Sequence, residues 1–179
     1  MRIRGLMILV GMMASATVAS GQAGSIGNGL VAIPYRSYIS INPLGVPFDI
    51  FSIEVESGIA QGMTLGASAS HTEFEDARFT SADFKYRYYP SEIVLRGVSL
   101  GASLGMLRYS DIVNDVRESL DAPTFGVLLD YNWLLGAQGR FVLGTGIGAK
   151  RLLVGAAERK RVDLNRAQFT ARFTVGVAF

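Results

Sequence analysis

Few side chains in this 179-residue sequence are of the types that catalysis needs. His71 is the single histidine, and there is no cysteine. Nucleophilic catalysis of the Ser-His-Asp kind would have to run through His71, which stands in Ser70-His71-Thr72-Glu73. The lack of cysteine removes disulfide frameworks, thiolate zinc sites, cysteine nucleophiles and an acylated N-terminal cysteine. No spacing of His, Asp and Glu suits a metal, and no cofactor is expected. Gly144-Thr145-Gly146-Ile147-Gly148 departs from the G-x-G-x-x-G spacing of nucleotide loops, and no helical pattern follows it. Glu54 and Glu56 stand two apart, which on a strand sets them ~7 Å apart on one face. Such a pair suits acid–base chemistry or ion pairing with nearby bases. What it does depends on the elements that carry it.

Those elements read as strands. In the last stretch, Phe169, Ala171, Phe173, Val175, Val177 and Phe179 alternate with Gln168, Thr170, Arg172, Thr174, Gly176 and Ala178. A strand turns alternate side chains to opposite faces, so one face is apolar and the other small or polar. The same alternation recurs between turn residues. It predicts strands at about Ala32–Pro43, Phe48–Ile59, Met63–Phe74, Phe79–Tyr89, Gly97–Tyr109, Thr124–Leu134, Arg140–Val154 and Arg166–Phe179. Pro43 and Pro47 bound a tight connection where neither strand nor helix continues. Arg108 falls on the apolar side of the fifth strand, which predicts a bulge or the end of an apolar zone there. Ser110–Pro123 reads as a long acidic loop with a short helical turn over Asp111–Leu120. The connections after the second, fourth and sixth strands are mostly short. Those after the third, fifth and seventh are longer and more charged.

The N-terminus reads as a secretory signal over residues 1–23, leaving 24–179 as the barrel. Arg2 and Arg4 precede an apolar run from Leu6 to Val18, and small residues follow, so cleavage fits after Ala19, Ser20 or Ala23. The run is short of the ~20 residues a spanning helix needs. Of 17 Lys+Arg and 15 Asp+Glu, removing Arg2 and Arg4 leaves 15 of each sign. The basic isoelectric point is therefore no argument for nucleic acid.

Alternation alone does not say which face is inside. A lipocalin-like carrier buries apolar side chains; a membrane barrel shows them to lipid. The polar faces here are rich in Gly, Ser and Thr, with a few charges of both signs. Arg36, Lys85, Arg87, Lys150 and Arg172 stand against Glu54, Glu56, Asp83 and Asp130. That composition suits a narrow lumen in which long cations pair with carboxylates. Trp133, Tyr131, Phe141, Tyr88 and Phe179 on the apolar faces gather near the short-turn end, as in an aromatic girdle. The expected fold is all-β: an eight-stranded antiparallel up-and-down transmembrane β-barrel.

A closing strand of alternating aromatic and aliphatic residues that ends on Phe179 resembles the assembly signal of bacterial outer-membrane barrels, here Phe169, Phe173, Val175, Val177 and Phe179. The chain resembles small eight-stranded barrels of the OmpA/OmpX type. Asn42-Pro43-Leu44-Gly45, Ile53-Glu54-Val55-Glu56 and Lys85-Tyr86-Arg87-Tyr88-Tyr89-Pro90 are similar to a family of uncharacterised Gram-negative barrel proteins. The resemblance implies a monomer in the bacterial outer membrane that meets the barrel-assembly machinery, outer-membrane lipid and lipopolysaccharide, and no catalytic residues. Arg151, Arg159, Lys160, Arg161 and Arg166 are the candidate contacts to lipopolysaccharide phosphate, or a solvated loop. The expected role is non-enzymatic, structural or surface-binding. Outer-membrane lipid A deacylases are also eight-stranded and carry a His-x-Ser pair facing lipid. His71 would serve such chemistry, but Glu73 stands where the pattern needs Ser, so a nucleophile would have to come from a neighbouring strand.

Overall fold

The computed structural model describes residues 35–74, 77–113, 116–155 and 165–179. The signal-peptide assignment and Arg159, Lys160 and Arg161 lie outside them. Eight strands follow in chain order: β1 (Ser37–Ile41), β2 (Ile50–Ala60), β3 (Met63–Phe74), β4 (Ala77–Tyr88), β5 (Gly97–Val113), β6 (Val116–Leu135), β7 (Phe141–Leu152) and β8 (Ala167–Ala178). Each pairs antiparallel with the next, and β8 pairs back with β1, closing the barrel. Closure leaves no open edge around the girth of the sheet, which is how an all-β molecule satisfies its backbone without water.

The pleat divides the residues as the alternation predicts. Phe51, Ile53 and Val55 of β2, Phe84, Tyr86 and Tyr88 of β4, and Phe169, Val175 and Val177 of β8 are exposed outside. Glu54, Glu56, Asp83, Arg87, Asp130 and Asn132 are buried inside. In β7 the inward positions include Gly144, Gly146 and Gly148. A methyl group at Gly144 would come within 2.5 Å of the Arg172 guanidinium and 2.6 Å of Asn132 Oδ1. These glycines are the space that larger inward side chains fill.

Three expectations need correction. The first strand is shorter than Ala32–Pro43: among the described residues it spans Ser37–Ile41, and a 3-10 turn, Val46–Phe48, joins it to β2. Ser110–Pro123 is not a loop with a helical turn. β5 and β6 run through it as one hairpin, with Arg108 opposite Asp121, Ser110 opposite Ser119 and Val113 opposite Val116. Polar residues there occupy both faces, so the hydrophobic alternation that reveals a strand fades although the ladder continues. Of the two readings of Arg108 only the bulge falls, for the β5–β6 register is unbroken and Arg108 stands exposed against Asp121 where the apolar outer face ends; the irregularity lies between Gly58 and Ala60, beside the β2–β3 turn.

The same extension changes the end-to-end asymmetry. β4 follows β5 as far as Arg78 opposite Ser110, whereas β7 meets β6 only from Leu152 opposite Thr124. The β5–β6 hairpin therefore overhangs the rim. Strand overhang, rather than long loops after the third and fifth strands, distinguishes this end from the end with the β2–β3, β4–β5 and β6–β7 turns.

Candidate functional site: the charged lumen

Most of the inward charges form one connected cluster near the middle of the barrel, centred on Arg87. Its side chain is 1% exposed and meets three carboxylates. Nε donates to Asp130 Oδ2 at 2.6 Å, Nη1 donates to Glu56, and Nη2 lies 3.2 Å from Glu54 Oε1. Arg172 comes from β8 and donates to Glu54 Oε1 at 2.8 Å and to Asn132 Oδ1 at 2.9 Å. Lys85 donates to the other oxygen of Glu54. Beside this cluster Lys150 pairs with Asp83 at 2.5 Å. Four cations thus meet four carboxylates across β2, β4, β6, β7 and β8, which leaves the lumen formally neutral. Buried charges persist only when paired and hydrogen-bonded, and here both conditions are met for the central group.

Several neutral side chains complete the cluster. The Tyr38 hydroxyl sits between Glu54 and Glu56 and accepts from Arg172 Nη2 at 2.8 Å. Thr64 and Tyr89 both donate to Glu56 Oε1, at 2.7 and 2.8 Å. Asn132 donates to the Tyr89 hydroxyl at 3.0 Å. Glu54 and Glu56 are therefore saturated acceptors rather than a free acid–base pair. The structure brings eight of the nine expected residues together in these ion pairs. Arg36 is the exception: it is exposed near the β2–β3 turn, bonds the Ala60 carbonyl at 3.4 Å and makes no ion pair among the described residues. It has inward parity but lies beyond the last carboxylate along the barrel. Tyr38, Thr64 and Asn132 carried a signal, namely polar atoms on the inward parity. Tyr89 shares that parity in the expected Phe79–Tyr89 strand, although it lies one residue past the observed end of β4.

Apolar layers bound the charges on both sides. Towards the turn end Tyr38, Leu95, Val142 and Ala178 are buried together, with Tyr35, Val94 and Leu134 packed on them. Towards the overhanging hairpin Leu107, Ala122 and Leu152 are buried with Phe79, Leu120 and Val154 against them. The Phe79 and Tyr109 rings meet there at a 46° tilt with centroids 4.5 Å apart.

The outer face changes character at the hairpin end. Arg78 bonds Glu73 at 2.6 Å, His71 Nδ1 lies 2.8 Å from Thr80 Oγ1, and Arg108 grips Asp121 through two bonds of 2.6 and 2.8 Å. His71, Thr80, Arg108 and Asp121 are successive cross-strand partners, so they make one row across β3 to β6. Thr80 is the hydroxyl a neighbouring strand brings to His71. No carboxylate contacts His71 among the described residues. Arg151 and Arg166 are exposed at the same end. Trp133, Tyr131, Phe141, Tyr88 and Phe179 are all exposed outward, and the Tyr131 and Trp133 rings lie 4.4 Å apart. No group of His, Asp and Glu among the described residues could hold a metal.

No family model matches the chain, and no curated protein does. Among solved structures it is similar to the N-terminal β-barrel domain of Pseudomonas aeruginosa OprF. The match has a TM-score of 0.53 and 12% identity, and covers 81% of this chain and 98% of that one. At that identity the likeness speaks for the fold alone: this chain is a closed eight-stranded antiparallel up-and-down β-barrel.

Proposed function

We propose that this protein is a bacterial outer-membrane barrel, exported by a leader over residues 1–23, that acts without catalysis as a structural or surface-binding element of a Gram-negative envelope. One observation carries the reading: the barrel is inverted relative to a soluble one. Its outer face is apolar over most of its height, and its interior holds paired charges. A lipocalin-like carrier needs the reverse distribution. Lipid is the solvent that accepts such an exterior. The polar row of Glu73, Arg78, His71, Thr80, Arg108 and Asp121 then lies at headgroup level. The opposite aromatic girdle marks the other interface.

Envelope fractionation tests this reading. The mature chain should be recovered with the outer membrane, need detergent for extraction, and migrate differently on a gel before and after boiling. Recovery as a soluble periplasmic protein would sink the proposal. The surface role rests on the hairpin end, where Arg151 and Arg166, with Arg159, Lys160 and Arg161 in the same stretch of sequence, suit lipopolysaccharide phosphate. Replacing Arg151 and Arg166 by Ala should lower the lipopolysaccharide that copurifies with the folded barrel. Unchanged copurification would remove these two from the contact.

A further inference from the structure

We infer that the β4–β5 turn is an internal plug, and that Leu95 is the side chain that seals the lumen at the turn end. Leu95 belongs to a connection, yet it is 0% exposed. It leaves the barrel wall between β4 and β5 and packs on Tyr38 of β1, Val142 of β7 and Ala178 of β8. In the closed order of eight strands, β8 and β1 stand opposite β4 and β5. The turn therefore spans the mouth instead of hanging below it.

The backbone shows what holds it there. Leu95 has φ +65 and Glu92 φ +60, a left-handed conformation that a bulky side chain adopts only under constraint. Burial of the Leu95 side chain is that constraint. The turn is also tied to its neighbour: Tyr89 N–H donates to the Gly62 carbonyl at 2.7 Å, and Gln61 donates to Glu92 at 2.6 Å. Tyr89 then carries the link upward, through its hydroxyl, to Glu56. The plug is thus bonded directly to the charge cluster it covers. At its other end Gly97, at φ +83, provides a flexible return into β5.

The absence of native cysteine makes the test clean. Ser99 is 0% exposed, faces the lumen opposite Asp130, and its hydroxyl bonds no described protein group. Ser99→Cys therefore places a thiol just inside the plug at little structural cost. Silver ions are the probe; Ag⁺ replaces the thiol proton and forms an S–Ag bond. In detergent-folded protein the thiol of Ser99→Cys should be protected until the sample is boiled. Adding Leu95→Gly removes the cork and relieves the strained φ, so the barrel should keep its heat-dependent gel shift. Silver should then react at least about tenfold faster, because the opening no longer has to displace a packed side chain. Leu95→Ala, which keeps the strain and part of the packing, should fall between the two. Full reactivity of Ser99→Cys with Leu95 intact would overturn the seal. So would an unchanged, protected rate in both the Gly and Ala variants that retain the gel shift. Because the assay runs in detergent, its outcome is independent of where the protein resides in the cell.

Discussion

Arg87 is the residue whose removal the lumen should tolerate least. It is the only side chain that contacts Glu54, Glu56 and Asp130 together among the described residues. Arg87→Ala leaves Glu56 and Asp130 without their cation in a space walled off by apolar layers, which should cost roughly 3–5 kcal/mol. Glu54→Ala should be comparably damaging, because it leaves Lys85 and Arg172 without their shared acceptor. Arg36→Ala is the matched control: the same residue type and parity, but exposed and without a carboxylate. Its effect should stay within about 0.5 kcal/mol. Urea unfolding of the reconstituted barrel reads all three. Equal, small effects would show that the carboxylates keep water in the lumen and do not depend on Arg87. The outer pair Arg108–Asp121 belongs to a different class. Both its side chains are more than half exposed, so its geometry reports position and carries little stability.

At the scale of the strand, two features set where the sequence cannot vary. One is the glycine row of β7. A methyl group at Gly146 would overlap Asp130, which Arg87 holds at 2.6 Å and which cannot withdraw. Gly146→Val should therefore lower stability by about 1–3 kcal/mol. The neighbouring Thr145→Val, on the exposed outer face, should be nearly neutral. A similar midpoint for both variants in urea would mean that the lumen rearranges more freely than its bonding implies. The other feature is the seam. β1 meets β8 over only Tyr38 to Ile41 against Ala178 to Val175, and Phe179 adds two backbone bonds with Ser37 of 2.8 and 3.1 Å. Deleting Phe179 removes part of a short closing ladder and the exposed aromatic end of the outer row. Membrane levels of the truncated chain should fall, with degradation before insertion. Normal levels, measured by fractionation and immunoblotting, would show that the first four pairs close the barrel unaided.

For the whole molecule, the arrangement of layers decides permeability. Eight strands leave an interior that side chains can fill. Here the filling is ordered along the axis: an apolar layer with the turn plug, a neutral cluster of paired charges, and a second apolar layer under the overhanging hairpin. An ion would have to displace packed apolar groups and break saturated ion pairs. The wild-type barrel should therefore give no steady conductance in planar bilayers. Large, stable channels from the purified protein would refute the filled lumen and argue for transport. The same layering leaves most of the exterior free to be apolar, because the buried ion pairs among the described residues lie inside the barrel.

Strand parity was legible in the residues themselves, because a pleated backbone alternates faces whatever surrounds it. It placed Glu54, Glu56, Asp83, Lys85, Arg87, Asp130, Lys150 and Arg172 inside and Phe84, Trp133 and Phe169 outside. The count of eight strands followed from that alternation and its punctuation by turns. Parity says nothing of height along the barrel axis, which depends on the stagger between strands. For that reason Arg36 had the right face and the wrong level. The hairpin through Ser110–Pro123 was illegible for a related cause: once a strand leaves the apolar zone polar residues enter both faces and blur the alternation, and cross-strand pairing keeps it extended. Leu95 lies in a connection with no periodicity at all. Its burial comes from the closure of the sheet, which brings β8 and β1 opposite the β4–β5 turn and makes a mouth for that turn to fill. Local chemistry decided the two faces; only the closed ring decided which residues meet across the lumen and what seals it.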